Sequence, residues 1–316
     1  MNDTLIEQSG LFWPVCTILI CLICERWFPM PAHIHPFSFF HLLASRLAQK
    51  VNPDPNRSAY QQKLSGMLAI ALVVIPFVLL IWLFRFFFSF PEIFDGLLLF
   101  ISLQWGPIRL AARRTAELLE KDQKEAAKDV ISPWLARDTH ALSPMGIAKA
   151  TSEMLMLRSA QTLFTTTFVF LLFGGVGAFL YRLLLELHHT WTCKKPNNIY
   201  FGSAIHLMMH MLHWFPYRMW GGLMAISNRV THLSFRFQKE ESTLLSIAAS
   251  AIGCRLGGPR YYEQRRIDYP NWHGGEEPDF RHIRKSKTIV DVLTILWLVI
   301  LGIFLGAEVT WLAITP

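Results

Sequence analysis

The sequence predicts an all-α, polytopic integral membrane protein in which about four to six helices cross the bilayer, with sizeable polar segments between them. Composition is the first observation behind this reading: 52% of residues are apolar, 17% are charged, and mean hydropathy is +0.31. Soluble chains carry roughly 45–50% apolar and about 25% charged residues, so a water-soluble enzyme, a disordered chain and a fibrous protein are excluded. The second is the recurrence of uncharged runs close to the ~20 helical residues that a hydrocarbon core requires. The chain, residues 1–316, is read as a single membrane domain.

Residues 64–84 hold no charge over 21 positions and form the clearest span. Residues 162–181 form another, with Gly174, Gly175 and Gly177 as a smooth face for close helix approach. A third occupies 292–311, preceded by Lys285, Lys287 and Asp291. Residues 11–28 form a shorter apolar segment ending at Glu25 and Arg26, with Trp27 and Phe28 suited to the interface. Its acidic leader (Asp3, Glu7) and the absence of a small-residue cleavage site read as a retained anchor. Residues 93–110 (with Asp95, Gln104 and Pro107) and 203–226 (with three histidines and Arg218) either span inside a bundle or lie in the interface.

A net charge of +7 with no nucleic-acid reader motif assigns the excess Lys and Arg to loops beside anionic lipid, not to nucleic acid. Cys16, Cys21 and Cys24 fall in the first apolar segment, where Cys21 and Cys24 read as small apolar filler and imply no disulfide. The polar stretch after 110 opens with a helix whose Glu117 and Lys121, and Glu120 and Lys124, are spaced for i,i+4 pairing. Ser143-Pro144 is an N-cap and first-turn pair for the next helix, whose apolar face is Ile147, Ala150, Met154 and Leu157. No β-strand alternation or fixed-period repeat stands out.

No P-loop, H-E-x-x-H, G-x-S-x-G or Rossmann motif is present. His206, His210 and His213 share one helix face, but no nearby carboxylate completes a metal set, so they read as lining a bundle interior or an interface. Arg137-Asp138-Thr139 forms a compact loop fitting either a turn or a phosphate contact, and Glu153 follows Lys149 by four residues. Arg182 and Arg218 lie close to hydrophobic helices and need a carboxylate, lipid phosphate or ligand anion. Leu256-Gly257-Gly258-Pro259-Arg260-Tyr261-Tyr262, followed by Gly274-Gly275, fits a loop that wraps an anionic or planar ligand, and equally an ordered surface loop.

The order of these motifs resembles the CobD/CbiB family of cobalamin-biosynthesis membrane proteins over most of the chain. His35-Pro36 follows the first helix; Lys121-Asp122 and Ala126 precede Ala136-Arg137-Asp138-Thr139. Ala150 and Glu153 fit the next helix, then come Gly174-Gly175 with Tyr181-Arg182, Phe201-Gly202 with Ala204, and Pro216-Tyr217-Arg218. Gly253-Cys254-Arg255-Leu256-Gly257-Gly258 with Tyr261-Tyr262 closes the series and is the most specific match. The resemblance implies a multi-pass bacterial inner-membrane ligase that joins (adenosyl)cobyric acid to aminopropanol or its phosphate through an amide bond, with ATP and Mg²⁺. It implies a corrinoid substrate, a lipid bilayer and other corrin-pathway membrane proteins as partners. Asp122, Asp138 and Glu153 are then the candidate catalytic groups, and Arg137, Arg182, Arg218, Gly257, Gly258, Arg260 and Tyr261 the candidate substrate-binding ones.

The sequence departs from the family pattern at polar positions. Leu157-Arg158 stands where a Glu-Asn pair is usual, Leu185 and His188 replace an Asn and an Asp, and Met209, His210 and His213 replace an Asp-Asp pair and an Asn. Such losses remove oxygen donors for Mg²⁺ and resemble the pattern of AmpE, a non-biosynthetic relative proposed to be a membrane sensor. An AmpE-like sensor or accessory protein is therefore the alternative to the biosynthetic enzyme.

Overall fold

The computed structural model describes residues 10–31, 34–54, 57–230, 240–263, 265–272 and 275–314. The acidic leader with Asp3 and Glu7, and Gly274, lie outside the described residues. The helices in chain order are α1 (Phe12–Trp27), α2 (Pro36–Val51), α3 (Ala59–Phe87), α4 (Pro91–Ser102), α5 (Trp105–Glu120), α6 (Lys124–Ile131), α7 (Pro144–Arg158), α8 (Thr166–Thr190), α9 (Ser203–Ser227), α10 (Glu240–Ile252) and α11 (Phe280–Ile314). A π-helical turn, Ser159–Thr165, joins α7 to α8.

Among the described residues, four helical stretches are long and apolar enough to cross a membrane: Ala59–Phe87, Pro91–Glu120, Pro144–Thr190 and Phe280–Leu312. They contain the expected spans 64–84, 162–181 and 292–311 together with 93–110, which the sequence left open, and the chain is an all-α polytopic membrane protein. Their outward side chains, among them Leu68, Leu72, Leu79, Ile295, Val299 and Ile303, are exposed, an arrangement stable only against lipid. The segment expected at 11–28 becomes α1, whose 16 residues reach about 24 Å, short of a ~30 Å core. The histidine-rich α9 is likewise not one of the four.

Glu25, read as the polar end of the first segment, is buried. Its Oε1 accepts the backbone N–H groups of Trp105 and, at 3.0 Å, Gly106. It thus caps α5 from another helix, satisfying first-turn donors that have no partner within their own helix. The close approach expected of the glycine face occurs where α8 meets α4. A β-carbon on Gly175 would stand 2.5 Å from Asp95 Cα, and the chain breaks helical geometry at Gly174 (φ +67°). Gly177 instead faces Phe173 of its own helix.

Two expectations are corrected. The i,i+4 pairs Glu117–Lys121 and Glu120–Lys124 do not form, because α5 stops at Glu120 and Asp122 turns through φ +55°. Glu117 pairs backwards with Arg113 at 2.8 Å, and Glu120 pairs with Arg284. The segment that showed no strand pattern contains an antiparallel hairpin, β1 (Leu256–Tyr262) and β2 (Arg265–Trp272), with an irregularity between Gly257 and Pro259. Glycines, proline and charged residues give it low β-propensity, and it is held by tertiary contacts with α7.

Candidate active site

Helix α7 begins as its sequence dictates: the Ser143 side chain accepts the Gly146 N–H and Pro144 occupies the first turn. Packed by α5, α10 and α11, α7 is buried almost all round, so Thr151, Ser152 and Glu153 are enclosed along with Ile147, Ala150 and Met154 of the expected apolar face. Glu153 Oε2 lies 3.2 Å from Arg137 Nη1, and its Oε1 lies 3.1 Å from Arg260 Nη2. The Gly257 N–H donates to Oε1 at 2.8 Å. Three side chains from a loop, a helix and a strand therefore form one ionic unit, with Glu153 partnered across the fold and not by Lys149.

The hairpin is locked onto this unit. Gly257 adopts φ +85°, and a β-carbon there would meet Pro270 O at 2.0 Å, so glycine is required. The Asp138 N–H donates to the Tyr261 carbonyl at 2.9 Å, and the Arg260 guanidinium stacks 4.2 Å from the centre of the Tyr269 ring. Burial lowers the pKa of Arg137 against the pull of Glu153, yet a guanidinium remains charged at any physiological pH.

Beside the unit is a cavity of about 110 Å³ whose charged walls are Arg137, Glu153, Arg158, Lys194, Glu241 and Arg260. Lys194 and Glu241 pair at 3.3 Å. Lys194 holds the Glu241 carboxyl, against burial, down to about 2, so it is ionised throughout the working range. Arg158 donates to His189 (Nδ1 at 2.7 Å), whose Nε2 lies 3.2 Å from Gln161 Oε1. Gln161 in turn donates to the Tyr217 hydroxyl at 2.8 Å. Buried nitrogens of Arg137 (Nη2) and Arg260 (Nε) have no hydrogen-bond acceptor, so the lining favours an oxyanion.

A second cavity of about 460 Å³ shares Trp134, Leu135, Ala136, Arg158 and His189 with the first. Its far wall carries His41, Gln104, Glu186, Thr190 and Lys195. Arg182 stands behind this wall, fully enclosed, bonded to Gln104 and 3.1 Å from Glu186.

Of the residues expected at a site, Arg137, Glu153, Gly257 and Arg260 converge. Gly258 adjoins them, its β-carbon position 3.5 Å from Lys149 Nζ. Asp138 and Tyr261 meet through their backbones with both side chains exposed. Asp122, in an exposed turn, and Arg218, which donates to its own Trp214 carbonyl at 2.8 Å, line neither cavity. Sequence reasoning missed Lys194, Glu241, Gln161, His41 and Glu186. Only Glu186, one turn after Arg182, carried a local signal. The Lys194–Glu241 pair spans 47 residues with no motif. Of the three aligned histidines, His213 contacts the Tyr181 hydroxyl at 2.9 Å and His206 stacks on His188.

The family model described as CobD/Cbib protein matches residues 18–290 of the chain. The chain belongs to the CobD/CbiB family. It is 26% identical over 294 residues to the cobalamin biosynthesis protein CobD of Stutzerimonas stutzeri, covering 90% of this chain and 96% of that one. Against the CobD of Chromobacterium violaceum it is 25% identical, covering 92% and 95%. Against the CbiB of Salmonella typhimurium it is 24% identical, covering 61% and 64%. No solved structure matches the chain. The family match takes in every segment that supplies the ionic unit and both cavities.

Proposed function

We propose that this CobD/CbiB family member is an enzyme of cobalamin biosynthesis in a bacterial inner membrane. It forms the amide bond between (adenosyl)cobyric acid and aminopropanol or its phosphate. The observation that carries this reading is the convergence of Arg137, Glu153 and Arg260, from three separate motif segments, on one cation-lined cavity. The cavity has room for a carboxyl-bearing arm and not for a macrocycle, which stays in the wider neighbouring space.

A carboxylate resists attack by an amine until one oxygen becomes a leaving group. ATP is the proposed activator: its terminal phosphoryl group passes to the carboxylate oxygen, releasing ADP, and the amine then forms the C–N bond as phosphate departs. Arg137, Arg158, Lys194 and Arg260 face the anionic oxygens and offset their charge in a site shielded from bulk water. Glu153 and its two arginines act as a rigid wall, because both carboxylate oxygens are already engaged.

Mg²⁺ held by protein ligands does not fit this cavity. Its two carboxylates, Glu153 and Glu241, are committed to cations, and among the described residues no three His, Cys, Asp or Glu side chains cluster to hold a metal ion. That same commitment favours the second reading, an AmpE-like accessory protein without catalysis. Complementation separates the two. In a strain lacking corrin amidation and fed cobyric acid, growth without cobinamide supports the enzyme, and failure despite verified membrane insertion supports the accessory role.

A further inference from the structure

Amide formation needs a group to accept a proton from the attacking amine, and the carboxylates of the inner cavity are tied up in ion pairs. We propose that His41 is the general base of this step, oriented by Glu186 in the larger cavity; the inference rests on the amide-forming reading above.

His41 Nδ1 lies 3.1 Å from Glu186 Oε1 and 2.9 Å from Thr190 Oγ1. An ionised carboxylate only accepts, and the Thr190 hydroxyl spends its proton on the Glu186 carbonyl at 2.8 Å. Both partners therefore require the proton on Nδ1, which leaves the lone pair on Nε2. Glu186 is itself fixed by Arg182 at 3.1 Å, and Arg182 is buried. An orienting relay thus runs from the protein interior to a half-exposed imidazole lining a 460 Å³ cavity. The arrangement obeys the logic of a carboxylate that fixes the tautomer of a base and stabilises the imidazolium it becomes.

The other polar groups on these walls are excluded. Arg158 Nη1 lies within 3.0 Å of both ring nitrogens of His189, and Nε2 also faces Gln161 Oε1 at 3.2 Å, so neither nitrogen is open to a substrate. Lys195 pairs with Glu263 at 2.7 Å, and Arg158 is a permanent cation. Among the described ionisable residues of that wall, His41 alone has a basic nitrogen to offer. Because Arg158 and His189 face both cavities, an acyl group on the inner cations is adjacent to an amine in the outer space. The amine lone pair forms the C–N bond, the acyl C–O bond breaks with its electrons leaving on phosphate, and the N–H proton moves to His41 Nε2 and on to solvent or phosphate.

The test uses the full chain in phospholipid nanodiscs, with amide product followed by mass spectrometry across pH 6 to 9. His41→Ala is expected to lower kcat by about 10²-fold or more with the KM for cobyric acid unchanged, and added imidazole is expected to restore activity. Glu186→Gln, which affects a positioning residue, is expected to move the pH profile. If the alanine variant fails to fold, His41→Gln, which keeps a donor toward Glu186 and has no base, carries the same expectation of lost turnover. A folded His41 variant with wild-type kcat and pH profile overturns the inference, as does a loss that imidazole leaves unchanged in a folded alanine variant. A wild-type protein that forms no amide overturns the proposed function and this inference together, whereas an active wild type with active His41 variants overturns the inference alone.

Discussion

Replacing Glu153 by alanine asks whether the buried charges form one structural unit. The carboxylate is 4% exposed, and the Arg137 and Arg260 side chains at 3.2 and 3.1 Å are 8% and 5% exposed. At such separations each pair carries about 5 kcal/mol of attraction at an effective dielectric near 20. Dehydrating three charged groups costs several kcal/mol each and absorbs most of that attraction. The intact unit is therefore worth little in net terms, but removing only the carboxylate leaves two guanidinium groups enclosed and facing each other. An uncompensated buried charge costs roughly 3–5 kcal/mol, and the Gly257 N–H loses its acceptor for about 1 kcal/mol more. The expected loss for Glu153→Ala is thus about 4–6 kcal/mol, read by titrating mixed micelles with SDS and following tryptophan fluorescence. The combination Arg137→Met, Glu153→Leu and Arg260→Met, which removes all three charges, is expected to recover most of it. An alanine variant less than about 1 kcal/mol below wild type, or a triple variant no better than the single one, would refute the reasoning.

Three further outcomes follow from local geometry. Gly175→Ala places a β-carbon 2.5 Å from Asp95 Cα and is expected to cost about 1–3 kcal/mol by overpacking; Gly302→Ala, with no atom within 4 Å, is expected to gain up to about 1 kcal/mol, and a reversed order in the same titration would contradict the helix contact. Ser143→Ala removes the cap on the Gly146 N–H and is expected to cost about 1 kcal/mol in that assay. Glu241 is held down to about 2 by Lys194, below the usual 4.3 or so, so its contribution is complete above pH ~4.3 and is lost as pH falls toward 2. Since both side chains keep about a quarter of their surface exposed, roughly 1–2 kcal/mol is expected, and a Glu241→Gln variant that loses stability below pH 5 as steeply as wild type would contradict it.

The helical membrane fold was legible because twenty uncharged residues in water have few alternatives to a bilayer. Ser143-Pro144 was legible for the same local reason, since a cap is a property of four adjacent residues. The hairpin was not: Leu256–Tyr262 carries Gly-Gly-Pro-Arg at its centre, and its shape comes from Glu153 accepting the Gly257 N–H across 104 residues. The role of Glu153 was half legible. Its motif position marked it, but spacing offered Lys149 as a partner, whereas the fold supplies Arg137 and Arg260. Asp122 and Arg218 show the converse, since motif position nominated residues that line neither cavity.

The π-helical turn at Ser159–Thr165 explains why the cavity lies where two apparently continuous helices meet. Widening a helix by one residue moves each carbonyl's donor from the i+4 to the i+5 amide. The threonines that read as part of an ordinary span add side-chain donors to these carbonyls: Thr165 Oγ1 bonds to Ala160 O at 2.7 Å and Thr167 Oγ1 to Leu163 O at 3.0 Å. The Tyr181 hydroxyl satisfies the Gln161 carbonyl at 3.0 Å. With its backbone so held, Gln161 reaches His189 on one side and Tyr217 on the other. The distortion therefore sets Gln161 against Nε2 of His189, and with Arg158 in reach of both ring nitrogens this histidine is a fixed partner in the cavity wall.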